Sequence, residues 1–409
     1  MLPQAGAGLT MRILVCNEHY AHTGGAEVYV LDVMARLEAR GHEVGVLHDA
    51  PAAPELEGRR PAFRVPGSMG FLHDPSPAAA EAARRAAAAF APDAIYLVQA
   101  MNPAVNLALA GAAPCVQYAM GLRLTCPTGR RLPRTWEGVC TKPFDAHCLW
   151  KAHTQLCMPR RPDTALKVWN DVRRNLKAAR LAQRILAPSR YTRDLLVRGG
   201  TAPELVEVLY LYTDLTPAME RARPAAERRI LALGRMEAEK GFQHLFEALP
   251  LLDEPAVLEL VGDGPFRKEL EAMARQAPAR HRAVITPWAP RERLTGVFSR
   301  ARVVAIPSTW PEPFGIVGIE AMAHGLPAVG FEVGGIADWL SGGKTGALVP
   351  RKDIPALARA LGAYLGDPDL ALRHGAAGRE EVRRRFLPGH HLDRLEAVLA
   401  EAAGARRPR

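Results

Sequence analysis

The chain has 409 residues, of which 48% are hydrophobic and 23% charged, a composition typical of globular proteins that excludes a disordered one. This length exceeds one ordinary hydrophobic core and so predicts two domains. No apolar run approaches the roughly 18 to 20 residues that cross a bilayer, and residues 1–10 lack the charged start and long apolar core of a signal peptide, so we expect a cytoplasmic protein.

The N-terminal half alternates short β-rich segments with segments of helical periodicity. Its first strand is predicted at residues 12–16, and the following segment 26–41 keeps apolar residues at helical spacing until Gly41. Further strands are predicted at residues 43–48, 94–98, 114–119, 184–188 and 205–210. This alternation favours a parallel sheet covered by helices on both faces.

A second α/β series follows the turn-rich segment 212–218. Its strands are predicted within the segments RRILALG, AVLELVG, HRAVIT, RVVAIPS and LPAVGF. We therefore expect an α/β protein with two doubly wound Rossmann-like domains, residues 1–210 and 211–385. A last helix at about residues 386–403 is expected to pack back on the first domain.

Two cations follow the first strand of the second series. Ligands of open α/β sheets bind at the carboxyl ends of strands, and the predicted strand at residues 230–234 is followed by Arg235 and Lys240. Such a pair suits a diphosphate, although a solvated loop with ordinary surface charges explains this fragment as well. The Gly-rich loop after the next strand, LVGDGP, is too common to decide. The absence of G-x-G-x-x-G after a strand and of a P-loop motif disfavours a dinucleotide dehydrogenase or a P-loop enzyme.

The most informative segment runs from Pro307 to Pro350. Gly315 opens a helix whose first N–H groups are free to bind an anion or a hydroxyl group. Glu312 lies just before that helix, and Glu320 lies five residues past Gly315, about 7.5 Å along the axis. Two carboxylates in this arrangement can bind different hydroxyl groups of one extended ligand, such as a sugar and a ribose. The length of the motif disfavours two ordinary surface glutamates.

These motifs resemble the retaining glycosyltransferases of family 4, which have the GT-B fold, and the resemblance covers nearly the whole chain. It is carried by the segments HTGGAEVYVLDVMARLEARGHEVGVL, RILAPSRYTRDLLVRGG, LGRMEAEKGFQHLFEAL and PEPFGIVGIEAMAHGLPAV. The resemblance implies two facing Rossmann-like domains with a cleft between them. It also implies transfer of a sugar from a nucleoside-diphosphate-sugar to an acceptor hydroxyl with retention of configuration. The sugar nucleotide is then a substrate, and no metal or other cofactor is expected. Polysaccharide, glycolipid or cell-envelope glycan synthesis is the implied setting.

The resemblance also implies residue roles. Arg235 and Lys240 would hold the donor diphosphate and stabilise the departing nucleoside diphosphate. Glu312 would contact the transferred sugar, and Glu320 the ribose hydroxyls. The remaining donor contacts would come from the glycine loop and from backbone N–H groups at Gly24, Gly25, Phe314, Gly315 and Ile316.

The chain departs from the family pattern after the fourth N-terminal strand. Family members commonly carry a His-Asp pair there, whereas this sequence has Met120 and Gly121. His19 or His22 could replace that histidine in space. Because of this departure, a second function remains as an alternative to the enzyme, namely a non-catalytic nucleotide-binding partner with the GT-B fold. The intact set of charged donor-site residues favours the enzyme.

Metal ligation is not predicted at the transfer site. The D-x-D motif at residues 367–369 lies between helices, where an N-cap Asp is common. A second candidate group lacks the C-x2-C pairs of zinc sites and comprises Cys126, Cys140, His147, Cys148, His153 and Cys157. Buried apolar cysteines are the usual explanation, and a structural metal or a reversible disulfide is the alternative.

Positive charge is concentrated in one part of the chain. The segment from Gly121 to Arg198 contains seventeen Lys and Arg residues and five Asp and Glu residues. Its net charge is therefore +12, compared with +10 for the whole chain. The loop-like segment 127–138 places Arg130, Arg131 and Arg134 beside Trp136. We therefore expect a glycan or lipid-linked acceptor that is anionic, or is presented on the inner face of an anionic membrane. A solvated basic face is the alternative, and the lack of RRM, KH or helix-turn-helix patterns disfavours nucleic acid.

Overall fold

The computed structural model describes residues 10–22, 24–68, 77–98, 102–133, 138–159 and 161–404. The chain divides into two compact units. The N-terminal unit comprises Met1–Leu209 and Leu392–Arg409, and the C-terminal unit comprises Tyr210–His391. Among the described residues, no helix combines the length and the apolar character that crossing a membrane requires.

The N-terminal unit is built on a parallel sheet of seven strands in the order β3-β2-β1-β4-β5-β6-β7. Its strands are β1 (Arg12–Asn17), β2 (Glu43–His48), β3 (Ala62–Arg64), β4 (Ala94–Leu97), β5 (Cys115–Tyr118), β6 (Arg184–Ala187) and β7 (Val206–Val208). The central strands are apolar and buried along nearly their whole length, as expected for a parallel sheet with both faces covered.

Helices connect these strands, and some of them begin at residues whose side chains cap the start of a helix. They are α1 (Gly25–Ala39), α2 (Pro77–Phe90), α3 (Pro103–Ala112), α4 (His147–Thr154), α5 (Pro162–Ala179) and α6 (Arg190–Arg198). Asn102 caps α3 by accepting hydrogen bonds from the N–H groups of Ala104 and Val105, and Ser189 caps α6 in the same way.

The C-terminal unit contains a second parallel sheet, in the order β10-β9-β8-β11-β12-β13. Its strands are β8 (Arg229–Leu233), β9 (Val257–Val261), β10 (Arg282–Thr286), β11 (Val303–Ile306), β12 (Ala328–Phe331) and β13 (Gly346–Val349). Its helices are α7 (Pro217–Arg221), α8 (Gln243–Ala248), α9 (Arg267–Arg275), α10 (Arg291–Phe298), α11 (Ile316–Ala323), α12 (Ile354–Gly366) and α13 (Pro368–Arg385). The prediction of two Rossmann-like α/β domains is confirmed.

The last helix, α14 (Pro388–Gly404), belongs from Leu392 onward to the N-terminal unit. Its Arg394 donates from Nε and Nη2 to the two carboxylate oxygens of Glu207 in β7, at 2.5 and 2.7 Å. Glu396 accepts a 2.8 Å hydrogen bond from Arg40. These ion pairs attach α14 to β7 and to the end of α1.

Two strands are present that the sequence did not predict, β3 and β13. Each lies at an edge of its sheet, is only three or four residues long, and lacks a run of branched apolar residues. An edge strand is paired on one side only, so a weak apolar pattern is enough there.

Candidate active site

The strand order of the C-terminal sheet reverses between β8 and β11, which pair in parallel with Ile230 opposite Val303. The strands β9 and β10 continue the sheet beyond β8, and β12 and β13 continue it beyond β11. In open α/β sheets, ligands bind at the carboxyl ends of the strands beside such a reversal. The loops that leave these two ends are residues 234–242 and 307–315, and they carry Arg235, Lys240 and Glu312.

Two of the predicted charged residues are in direct contact at this point. Lys240 Nζ lies 2.7 Å from Glu312 Oε1, although 72 positions separate them in the chain. The Glu312 side chain is 7% exposed and that of Lys240 is 27% exposed. Ser308 is buried and donates a 2.6 Å hydrogen bond from Oγ to the same Glu312 oxygen. One carboxylate oxygen thus accepts from both an ammonium and a hydroxyl group.

Two glycines allow the backbone around this ion pair to pack closely. Gly241 has φ +73°, and a Cβ there would lie 1.9 Å from the carbonyl oxygen of Pro307. Gly334 has φ +56°, and a Cβ there would lie 2.2 Å from the Glu312 carbonyl oxygen. The N–H of Gly335 donates to that carbonyl at 2.7 Å. Both contacts require residues without a side chain and set the backbone positions of the two loops.

The helix α11 begins at Ile316, four residues after Glu312. Gly315 is its N-cap residue with φ +88°, and no side chain caps this end. Among the described residues, the N–H groups of Phe314, Gly315 and Ile316 have no acceptor. An uncapped helix start with free N–H groups attracts anions and hydroxyl oxygens, because the helix dipole places partial positive charge there.

Only the backbone of Phe314 can serve a ligand at this helix start. Its ring is buried and packs against the rings of Tyr210 and Phe386, with centroids 5.9 and 5.8 Å away. Its carbonyl oxygen accepts a 2.7 Å hydrogen bond from Nε1 of the buried Trp339. The side chain therefore anchors the loop to the core of the C-terminal unit.

Arg235 and Glu320 lie on the same elements as the ion pair but outside it. The Arg235 side chain is 71% exposed, and its Nε lies 2.8 Å from Glu237 Oε1. Glu320 lies within α11 in a half-buried position, and its carbonyl oxygen accepts from His324 Nδ1 at 2.8 Å. The structure thus brings Lys240 and Glu312 together and places Arg235 at the surface of the same loop.

The predicted glycine loop of the N-terminal unit lies after the carboxyl end of β1. Gly24 is the N-cap of α1 with an extended backbone, and Gly25 is its exposed first residue. A Cβ at Gly25 would meet no atom within 4 Å, and one at Gly24 would meet only the flexible Glu27 carboxylate. The packing of this unit does not require glycine at either position, so the role of both in donor binding stays a prediction.

The replacement of the missing family histidine also stays a prediction. Met120 follows β5 and is half-buried. His19 is half-buried, with Nδ1 3.8 Å from Glu27 Oε1, and His22 is exposed.

Sequence reasoning missed Ser308 and Trp310, which complete the surroundings of the ion pair. The ammonium of Lys240 lies 5.5 Å from the centroid of the Trp310 ring. Trp310 Nε1 is buried and has no acceptor among the described residues, so it can donate to a ligand oxygen. Both residues directly follow β11 at the reversal of strand order, and that position is the signal that could have found them.

The expectation that Arg131 contributes to binding an anionic or interfacial acceptor is wrong. The residue is 3% exposed, and its guanidinium donates to the carbonyl oxygens of Thr125 and Cys140 at 2.8 Å each and to that of Lys142. It therefore stabilises the loop from inside, because it supplies hydrogen bonds to three backbone carbonyls. Arg130 is exposed as expected.

The other residues of the basic segment that the structure describes include several exposed side chains. Arg134 and Trp136 lie outside the described residues. On α5, the exposed residues Arg173, Arg174 and Lys177 share the solvent side of the helix. Trp150 on α4 is 71% exposed, which is unusual for a large apolar side chain.

The structure also bears on the metal candidates. Asp367 accepts a 2.9 Å hydrogen bond from the N–H of Leu370 and so caps α13, as the sequence indicated. All six cysteines are free thiols. In the part of the chain that the structure describes, no three His, Cys, Asp or Glu side chains stand at metal-ligand positions.

Comparison with known families assigns both halves of the chain. Residues 23–216 match the family described as Glycosyltransferase Family 4, and residues 219–381 match Glycosyl transferases group 1. Among curated relatives, the D-inositol 3-phosphate glycosyltransferase of Xylanimonas cellulosilytica is 37% identical over 188 residues, 43% of this chain and 45% of that protein. A GDP-mannose-dependent alpha-(1-6)-phosphatidylinositol monomannoside mannosyltransferase of Mycolicibacterium smegmatis is 35% identical over 159 residues, 37% of this chain and 42% of that protein. The matched segments span less than half the length of these two relatives.

Solved structures resemble the chain over almost its whole length. The structure of Anabaena HepE in complex with UDP and glucose has a TM-score of 0.69 at 20% identity and covers 96% of this chain and 100% of that one. Sucrose-phosphate synthase from Thermosynechococcus elongatus has a TM-score of 0.72 at 20% identity, with coverages of 96% and 99%. At this level of identity the likeness concerns the fold.

Proposed function

The chain belongs to the family 4 glycosyltransferases and has their two-domain α/β GT-B fold, and from this we propose that it transfers a sugar from a nucleoside-diphosphate-sugar to an acceptor hydroxyl. The contact between Lys240 and Glu312 at the reversal of strand order carries the proposal. Folding alone does not require a half-buried ion pair at the ligand edge of the sheet, because apolar residues of similar volume in place of both partners are often as stable or more stable.

Lys240 would serve the donor diphosphate. Its ammonium is neutralised by Glu312 in this structure, and a diphosphate offers it a stronger anionic partner. The free N–H groups at the start of α11 and the Trp310 indole N–H are further donors for phosphate or sugar oxygens. Arg235 is exposed on the same loop, and we infer that its guanidinium turns towards the diphosphate when the donor binds. Positive charge at these positions would stabilise the departing nucleoside diphosphate.

Glu312 would hold the transferred sugar. Its Oε1 already accepts from Lys240 and Ser308, which leaves Oε2 as the oxygen to accept a sugar hydroxyl. Glu320 would accept the ribose hydroxyls from its place deeper in α11. Gly24 and Gly25 would let the backbone before α1 approach the donor phosphate.

We infer that transfer retains the anomeric configuration and uses no divalent metal. Membership in a family of retaining enzymes supports the first inference. The second is supported by Lys240, Arg235 and the helix N–H groups, which supply at the diphosphate the positive charge that a metal ion provides elsewhere.

The acceptor would be an anionic glycan or a lipid-linked molecule bound by the N-terminal unit. The +12 excess of residues 121–198 and the exposed Trp150 support this, since basic and aromatic side chains together suit an anionic membrane surface. Two similar relatives carry names that refer to phosphorylated inositol compounds. A role in polysaccharide, glycolipid or cell-envelope glycan synthesis at the inner face of the membrane follows from the same proposal.

The donor is tested by thermal shift with UDP, GDP, ADP and CDP, followed by transfer assays with the matching sugar nucleotides. The right nucleotide at 100 times its dissociation constant should stabilise the protein by about 2.7 kcal/mol. Lys240→Ala should abolish this shift, whereas Lys344→Ala, an exposed lysine just before β13, should keep it. No shift with any nucleotide, or an equal shift in Lys240→Ala, contradicts the site.

The alternative, a non-catalytic nucleotide-binding partner, is favoured by Met120 in place of the family histidine. It predicts the nucleotide shift together with no hydrolysis or transfer of any sugar nucleotide. Product formation in the transfer assay excludes it. Assays with and without EDTA test metal independence, and a loss of activity on chelation that Mg²⁺ or Mn²⁺ restores contradicts that part of the proposal.

A further inference from the structure

The connection between β5 and α5 holds four of the six cysteines and has a small apolar core of its own. We call its residues 125–158 the cysteine lobe. Its only helix among the described residues is α4. Its residues Ala152 and Met158 form a small cluster of buried apolar side chains with Ala165 of α5, and Cys148 and Cys157 pack against this cluster. Segments with so little apolar burial generally need a cross-link or a bound metal to hold one conformation.

The cysteines of the lobe share one cavity. They come from four separate places in the chain, and all four line a single cavity of about 30 Å³. These cysteines are Cys126, Cys140, Cys148 and Cys157. The volume suits one ion or one or two water molecules and is too small for an organic ligand. The other two cysteines, Cys16 and Cys115, lie in the strands β1 and β5 and are ordinary core residues.

Other contacts hold the four cysteines in place around the cavity. The buried Arg131 donates to the carbonyl of Cys140 and to that of Thr125, the neighbour of Cys126. The N–H of Cys140 donates in return to the Arg131 carbonyl at 2.7 Å. On the other side, Cys157 Sγ lies 3.6 Å from the carbonyl oxygen of Lys151 in α4. Arg131 thus holds the backbone of Cys140 and of the neighbour of Cys126, and the Cys157 side chain contacts α4.

The cavity is lined by positive charge. Arg131, Lys142 and Lys151 line it, and none of its described lining residues is acidic. Four thiolates and one divalent cation carry a net charge of −2, which these three cations would offset.

We propose that Cys126, Cys140, Cys148 and Cys157 bind one Zn²⁺ or a similar soft divalent cation as a structural site of the cysteine lobe. Each thiol gives up one proton to solvent and its sulfur forms one bond to the metal, with no change in oxidation state. The described residues contain no preformed ligand set, and Cys126 Sγ lies 3.5 Å from Thr128 Oγ1. Binding therefore requires the thiols to turn into the cavity by side-chain rotation, which breaks only weak sulfur contacts.

The test measures metal in the full-length protein purified in the presence of Zn²⁺. We expect about one zinc per chain in the wild type and in Cys115→Ala, the control outside the lobe, and a loss of at least tenfold in occupancy in Cys148→Ser and Cys157→Ser. Should these variants fail to fold, titration of chelator-treated wild type with Co²⁺ gives an independent result. Saturation at one Co²⁺, with thiolate-to-cobalt absorption and release of about four protons per chain, supports the site.

Two results overturn the proposal. One is wild-type protein that holds no zinc and binds no Co²⁺ while its lobe thiols stay reduced. The other is a mass lower by two hydrogens for each disulfide, reversed by a thiol reductant, which would identify the cluster as disulfide-bonded. Neither result bears on donor binding, because the Lys240–Glu312 pair belongs to the other unit of the chain.

Discussion

Ser308 and Lys240 donate to the same oxygen atom of Glu312, at 2.6 and 2.7 Å. The hydroxyl comes from the end of β11 and the ammonium from the loop after β8, so the carboxylate is fixed from two strands. In the proposed mechanism a donor diphosphate draws Lys240 away, and Ser308 would then remain as the donor that holds Glu312. The hydroxyl is therefore expected to matter most after the donor has bound.

Ser308→Ala should lower kcat much more than it raises the KM for the donor. A hydrogen bond to a charged group contributes about 1.5–3 kcal/mol, which corresponds to a loss of roughly 10- to 100-fold in kcat. Ser308→Thr, which keeps the hydroxyl, should recover most of the rate. Steady-state kinetics of the three proteins decide this, and a wild-type kcat in Ser308→Ala contradicts the positioning role.

Glu312→Gln should separate binding from transfer. The change removes the partner of Lys240, so the ammonium is wholly available to a diphosphate and nucleotide affinity should stay equal or rise. Transfer should fall on the order of 100-fold or more, since the sugar loses its charged contact. Calorimetric titration with the nucleotide measures the affinity, and a transfer assay measures the rate of transfer. Loss of both binding and transfer would show that the carboxylate serves the phosphates instead.

Gly241→Ala should destabilise the C-terminal unit and the site together. The new Cβ would overlap the Pro307 carbonyl at 1.9 Å on a backbone with φ +73°. We expect a loss of at least about 2 kcal/mol in unfolding free energy, from strain and displacement of β11. Gly366→Ala is the matched control, because a Cβ there meets nothing within 4 Å. Equal denaturant midpoints for the two variants would contradict the steric argument.

Arg130→Ala and Arg131→Ala should have opposite phenotypes although they are neighbours. The exposed Arg130 is expected to contribute about 1 kcal/mol to binding of anionic vesicles, or about fivefold in partition, with no change in stability. Arg131→Ala should instead loosen the lobe by about 1–3 kcal/mol, because buried carbonyls lose their donor. Co-sedimentation with anionic and neutral vesicles at low and high salt, and proteolysis of the lobe, measure the two effects. Equal pelleting with neutral vesicles argues against an anionic surface.

Arg394→Ala should weaken the attachment of α14 by about 0.5–1 kcal/mol, a modest value because both partners of the Arg394–Glu207 pair are partly exposed. Arg394→Lys should recover only part of it, since an ammonium cannot make the two-pronged contact with the carboxylate. Thermal unfolding compared at low and high salt measures this. A full recovery by Lys would mean that charge alone matters.

The sequence predicted the loops of the site because strand ends in a parallel sheet converge, and Lys240 and Glu312 follow two such ends. It could not predict that the two side chains touch, since that distance depends on the backbone contact that Gly241 permits. The burial of Arg131 was missed for a related reason. Its acceptors are carbonyls of an irregular loop, in which Arg131 itself has a positive φ of 54°. An irregular loop has no periodic sequence pattern from which burial can be predicted.

The path of the backbone through α14 has a topological consequence. The chain leaves the N-terminal unit after Leu209 and re-enters it at Leu392, so the C-terminal unit is an insertion with two covalent connections. Within that unit the two connecting segments are hydrogen-bonded side by side, with Thr213 N–H donating to the Phe386 carbonyl and His391 Nδ1 contacting the Tyr210 carbonyl. A single proteolytic cut therefore cannot release the C-terminal unit, and two cuts are required. The same adjacency of its ends makes residues 210–391 a natural cassette for grafting into another transferase of the fold.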